Sequence, residues 1–213
     1  MFFWIAVFAN SLGIFPLIVL KTAKKRLLPE ARFIGPYVWL IALGSAYELV
    51  GTLLLRINTT YWFHFYCFAD FFCLNYFFYR LFERKYRTLN LAFSIVFVCV
   101  FIILMIGWSE ISNLQSDAFL GTLSTLLVST FAILWFRQLA HDTGTEHLWE
   151  RPVFYLISGL FLYYSGTFFL FLMSDSITNN PRMELMDFWI INILLTLLLR
   201  ILLILGIWKA KAK

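Results

Sequence analysis

The sequence predicts an all-α integral membrane protein, a seven-transmembrane helix bundle with its N-terminus outside and its C-terminus cytoplasmic. Three observations predict it. Mean hydropathy is +0.81 and only 14% of the 213 residues are charged, against roughly 25% in an average soluble domain. Mostly apolar runs occupy 2–20, 33–57, 61–82, 89–107, 118–139, 152–173 and 187–208. At about 1.5 Å per helical residue, each is long enough to cross a hydrocarbon core of roughly 30 Å. Finally, Lys and Arg cluster in alternate connections: Lys21, Lys24, Lys25, Arg26 and Arg32; Arg80, Arg84, Lys85 and Arg87; Arg137 and Arg151; and Lys209, Lys211 and Lys213. The opposite connections carry Arg56 and Arg182 against Glu110, Asp117, Asp175, Glu184 and Asp187. Positive residues stay in cytoplasmic loops, so the charge sets the orientation. The spans leave no room for a second folded unit, and 1–213 reads as one domain.

Each span has its own signals. No basic residue precedes the first and no small-x-small site ends it, so it does not read as a cleavable signal peptide; Lys21 to Arg26 form its cytoplasmic stop, and Pro16 is expected to bend it. Pro36 lies near the start of the second, where Glu48 shares a face with Gly44 and Gly51, small residues that admit a neighbouring helix. The third is unusually aromatic, from Tyr61, Trp62 and Phe63 to Phe77, Phe78 and Tyr79; lipid contact and interface anchoring are expected to explain most of this, with a pocket for a flat apolar ligand as the alternative. Its residues His64, Cys67, Phe71 and Asn75 share a face, with Asp70 on the flank.

The fourth span is bounded by Arg87 and a polar connection at 108–117 that ends at Asp117, and the fifth, 118–139, carries Arg137 at its far end. Pro152 starts the sixth, which carries Ser158, Gly159, Tyr163, Ser165, Gly166 and Thr167 for close packing and interhelical hydrogen bonds. Asn180-Pro181 opens a turn before the seventh, where Asn192, Thr196 and Arg200 recur every fourth residue as one polar stripe.

Glu48, Asp70 and Arg200 lie near mid-membrane, where a central Asp or Arg costs on the order of 3 kcal/mol unless it faces the bundle and pairs. The three are expected to find one another across an axial gap of roughly 6–9 Å. Two readings follow: pairing that fixes helix register, or a polar interior that receives a ligand, with Asn75, Asn192, Thr196, His64, Tyr163 and Ser165 as further lining candidates.

Several chemistries fit poorly. His64 is placed toward the outer face, and His141 and His147 in an inner loop, about 30 Å apart across the core, so neither a multi-histidine metal centre nor a two-histidine haem is expected. The lysines all lie at span ends, which leaves none for a mid-membrane Schiff base. Ser158 or Ser165 beside Asp70 lacks a histidine base within reach. His141-Asp142 and Glu146-His147 read as a solvated loop, and Cys67, Cys73 and Cys99 as packing residues. No cofactor is expected.

The run Pro152-Val153-Phe154-Tyr155 through Gly159 and Tyr163-Tyr164-Ser165-Gly166-Thr167 to Leu172, the pattern Phe63-His64-Phe65-Tyr66 with Asp70-Phe71, and the ending Gly206-Ile207-Trp208-Lys209 resemble small seven-span integral membrane proteins of Bacteroidota-type genomes. The chain departs from that pattern at Asp70, where Glu is expected, and at Arg200, where Asn or another polar residue is expected. The resemblance implies a seven-helix membrane fold and, by analogy with seven-span sensor regions, a signalling link.

The expected function is a receptor-like or sensory membrane module that binds a small apolar or lipidic ligand within the bundle. The chain stops five residues after Trp208, so the signal is expected to pass to a separate protein partner at the basic cytoplasmic face. The alternatives are a lipid-modifying enzyme using Glu48, Asp70 and Arg200, or a transporter or structural subunit. Basic charge beside apolar spans points to membrane lipids and not to nucleic acid, and the expected location is a bacterial plasma membrane.

Overall fold

The structure, a computed structural model, describes residues 2–23, 27–55, 60–83, 85–106, 113–141, 148–178 and 185–211. These residues form an all-α molecule: α1 (Phe2–Leu12), α2 (Phe15–Ala23), α3 (Pro29–Arg32), α4 (Gly35–Tyr47), a π-helical continuation (Glu48–Leu54), α5 (Thr60–Leu81), α6 (Arg87–Ile106), α7 (Asn113–His141), α8 (Pro152–Thr178) and α9 (Leu185–Lys209). Among the described residues, four stretches are long and apolar enough to cross a membrane: Arg87–Ile106, Ala118–His141, Pro152–Leu170 and Ile190–Lys209. Helices α7 and α8 run past the apolar spans read from sequence, α7 beginning at Asn113 and α8 ending at Thr178. Asn180-Pro181 lies outside the described residues.

The first predicted span is broken, not merely bent. Pro16 has no N–H, and its ring opposes the carbonyl four residues earlier, which kinks or breaks an α-helix. The Gly13 N–H turns back to the Asn10 carbonyl at 3.0 Å, and that of Ile14 to Ser11 at 3.3 Å. In an unbroken helix the Gly13 N–H would bond to the carbonyl of Ala9; here that carbonyl is left for another donor. The second span is irregular as well. Pro36 starts α4 at a position where its missing N–H costs nothing, but from Glu48 the bonds lengthen to i→i−5, and the Leu55 N–H reaches Val50 at 3.0 Å.

The aromatic residues of α5 correct the sequence reading. Phe71, Phe77 and Phe78 do not face lipid but are fully buried. Phe71 stacks on Phe97 of α6 with ring centroids 3.8 Å apart, and Phe78 on Phe131 of α7 at 5.1 Å. The cause is position: α5 packs against α4, α6 and α7, so most of its surface is interior, while Phe65 and Tyr76 remain exposed.

Helices α8 and α9 pack closely through small residues, as the composition of the sixth span predicts. A Cβ placed on Gly159 would stand 3.0 Å from that of Leu202, and one on Gly166 only 2.7 Å from Leu195 Cδ1. Leu28, just ahead of α3, donates its N–H to the Ala210 carbonyl at 3.1 Å and ties this segment to the end of α9.

Polarity is distributed as a membrane solvent demands. His64, Asp70, Asn90 and Arg200 are buried, while Ile102, Ile103, Ile106, Phe119, Ile133 and Phe169 are exposed, Ile106 by 82%. Apolar surface on this scale is rarely left to water by a soluble monomer, and charges within a bilayer face the bundle.

Candidate functional site

The broken first helix and Arg200 fit together. Arg200, in α9, is 7% exposed. Its Nη1 donates to the Ala9 carbonyl, the one released by the break, and its Nη2 donates to Ser45 Oγ at 3.0 Å and to Asn10 Oδ1 at 3.4 Å. A freed backbone carbonyl in lipid needs a donor, and the guanidinium supplies one. Gly13 makes the approach feasible, because a Cβ there would collide with Ser45 Oγ and come within 3.0 Å of Arg200 Cζ. The side chain of Asn10 is also hydrogen-bonded to Glu48, whose carboxylate lies within electrostatic reach of Arg200. Asn10 therefore stands between the cation and its counter-charge.

Asp70, 8% exposed, is held differently. Tyr164 of α8 donates its hydroxyl to Asp70 Oδ2 at 2.6 Å. With that proton committed, the Tyr37 hydroxyl, 3.4 Å away, donates to the Tyr164 oxygen. The chain Tyr37–Tyr164–Asp70 thus joins α4, α8 and α5. On α7, Thr125 Oγ1 reaches the Tyr164 carbonyl at 3.3 Å as well as Gly121 in its own helix at 2.9 Å.

Tyr66 and Tyr163 each lie within electrostatic reach of both groups, of Asp70 and of Arg200 with Glu48. Tyr66 packs edge-on over Gly44, where a Cβ would meet its Cε2 at 2.7 Å. Tyr163 lies edge to face with Tyr164 at 5.1 Å and hydrogen-bonds Thr196 of α9. Direct pairing of Glu48, Asp70 and Arg200 is thus replaced by two groups, each knit together by neutral polar residues.

The remaining sequence candidates are divided. Thr196 and Tyr163 belong to the interior. Asn75 faces α6 instead, donating to Ser94 Oγ at 2.6 Å, and Ser94 passes its own proton to the Asn90 carbonyl. Ser165 donates back to the Phe161 carbonyl of its own helix at 2.5 Å. His64 is buried, its ring 6.0 Å from that of Phe101. Asn192 is half-buried on α9, two turns ahead of Arg200. His141 is exposed at the end of α7, and Asp142, Glu146 and His147 lie outside the described residues. Cys67, Cys73 and Cys99 form no disulfide.

Sequence reasoning missed Asn10, Ser45, Tyr37, Tyr66 and Tyr164. Asn10 carried a signal, since it is a polar residue inside an otherwise apolar run. Tyr66 stands one helical turn before Asp70 on the same face, and Tyr164 adjoins Tyr163 in the sixth span. Compared with known proteins, the chain matches no family model, no curated protein and no solved structure.

Proposed function

We propose that this chain is a receptor-like, seven-span membrane module of a bacterial plasma membrane, similar to the small seven-span proteins of Bacteroidota-type genomes. Its interior receives a small or lipidic ligand, and the resulting helix movement acts on a separate cytoplasmic or membrane partner. The N-terminus is outside and the basic connections face the cytoplasm, a topology supported by the alternation of Lys and Arg along the chain. One observation carries the reading: each buried charge is held by neutral groups on other helices. Arg200 joins α9 to α1 and α4, and Asp70 joins α5 to α8. The polar end of such a ligand, entering beside Tyr66 and Tyr163, competes for those bonds and favours a different helix arrangement, which is the differential affinity a switch requires. The alternative is a lipid-modifying enzyme using Glu48, Asp70 and Arg200; a serine nucleophile at Ser165 is disfavoured within it, because that hydroxyl donates to the Phe161 carbonyl of its own helix.

The test is native purification into nanodiscs followed by mass spectrometry of bound molecules and cross-linked partners. A co-purifying ligand that Tyr163→Ala releases supports the reading; a bare protein with neither ligand nor partner overturns it. Topology is checked separately with a membrane-impermeant maleimide on intact cells. Glu110→Cys should label and Lys85→Cys should not, each in a background lacking the native cysteines.

A further inference from the structure

Away from this interior, two neighbouring recesses open around the end of α7. One, of about 470 Å3, is lined by Lys85 and Tyr86 just ahead of α6 and by Arg137, Gln138 and His141 of α7. The other, of about 250 Å3, shares Gln138 and adds Trp135 and Arg151. Among the described residues, no carboxylate lines either recess. We infer that this paired basic recess is a binding site for the phosphate headgroup of an anionic phospholipid.

Three features of the site converge on that chemistry. Lys85, Arg137 and Arg151 supply fixed positive charge, and basic hollows between membrane helices take anionic headgroups. Lys85 and Tyr86 also stand at the N-terminal end of the 20-residue α6, the end whose backbone N–H groups and dipole favour an anion. Trp135 and Tyr86 add rings with one apolar and one polar side, suited to the level of the headgroups. The surface below selects a lipid over a soluble phosphate. About one turn farther into each helix, Leu91 of α6 and Ile133 of α7 are 57% and 60% exposed. Acyl chains cover such side chains while the headgroup occupies the basic recess, whereas a free phosphate leaves them bare.

The site is tested by native mass spectrometry of the full chain in detergent, titrated with phosphatidylglycerol, phosphatidylcholine or inorganic phosphate. Phosphatidylglycerol should be retained in preference to phosphatidylcholine, and millimolar inorganic phosphate should not displace it. At about 1 kcal/mol for each basic residue near the surface, roughly fivefold in affinity, the double variant Lys85→Gln/Arg137→Gln should weaken phosphatidylglycerol binding about 25-fold and leave phosphatidylcholine unchanged. Arg137→Lys should retain most of the affinity, and Arg32→Gln/Lys211→Gln, which removes two exposed charges elsewhere, should retain nearly all of it. Thermal unfolding of each variant confirms that the fold is kept. Undiminished binding in the Lys85/Arg137 variant, equal loss in the Arg32/Lys211 control, or displacement by inorganic phosphate would overturn the assignment.

Discussion

The two halves of the buried interior solve one problem by different means. Around Arg200 the backbone itself gives way: a helix break releases the Ala9 carbonyl, and the cation is held by that oxygen together with Asn10 and Ser45. Around Asp70 the helices stay regular, and the carboxylate is satisfied by a relay of tyrosine hydroxyls from α8 and α4. A cation carries many donors and no acceptor, so it needs oxygens, and a broken helix provides them. A carboxylate needs donors, which phenols supply without disturbing the helix. The difference teaches that the Arg200 half is anchored in chain geometry and the Asp70 half in side-chain chemistry, so the two should fail differently.

The largest effect is expected from Arg200→Leu. It strands the Ala9 carbonyl and leaves Glu48 without its cation, and equilibrium unfolding in mixed micelles should show a loss of about 3–5 kcal/mol. A loss near zero would mean that the broken helix does not depend on the guanidinium. Tyr164→Phe strikes the other half by removing the donor to Asp70, with an expected loss of about 1.5–3 kcal/mol; Asp70→Asn added to it should recover part of that loss, because a neutral amide no longer needs the charge-assisted bond. Gly13→Ala sharpens the contrast by deleting no polar group at all. Its Cβ intrudes on Ser45 and Arg200, and overpacking should cost about 1–3 kcal/mol, while Gly121→Ala, where a Cβ meets nothing within 4 Å, should unfold like the parent. The smallest of the expected losses is that of Asn75→Ala, outside both halves, at about 0.5–1.5 kcal/mol through its lost bond to Ser94, with ligand retention unchanged.

Much of the helical layout was legible because apolar length and charge placement report directly on a lipid solvent. The four long apolar helices fall within the predicted runs beginning at 89, 118, 152 and 187, give or take a few residues, and Pro16 marks the place where the first run breaks. The π-helical stretch from Glu48 was not legible, since no residue type signals an i→i−5 ladder as proline signals a break. The aromatic residues of α5 were misplaced because lipid and protein interior are alike in apolarity, so a Phe-rich helix does not reveal from composition which face it buries. The polar interior was half legible. Buried charges announce themselves by cost, but their partners here are a backbone carbonyl, a serine, an asparagine and tyrosines, residues common enough in spans to escape notice. The expectation that Glu48, Asp70 and Arg200 would pair directly weighed charge against charge and overlooked how well neutral oxygens and hydroxyls serve the same need.

The division of the interior is tested most directly by two double-mutant cycles measured side by side, Arg200→Leu with Asn10→Ala and Arg200→Leu with Asp70→Asn. Groups that share a hydrogen bond couple and groups without one add nearly independently. The first cycle should therefore return a coupling of about 1 kcal/mol or more and the second less than about 0.5 kcal/mol. The opposite order, with Arg200 coupled to Asp70 more strongly than to Asn10, would contradict the two-part interior and restore a single ion-paired cluster.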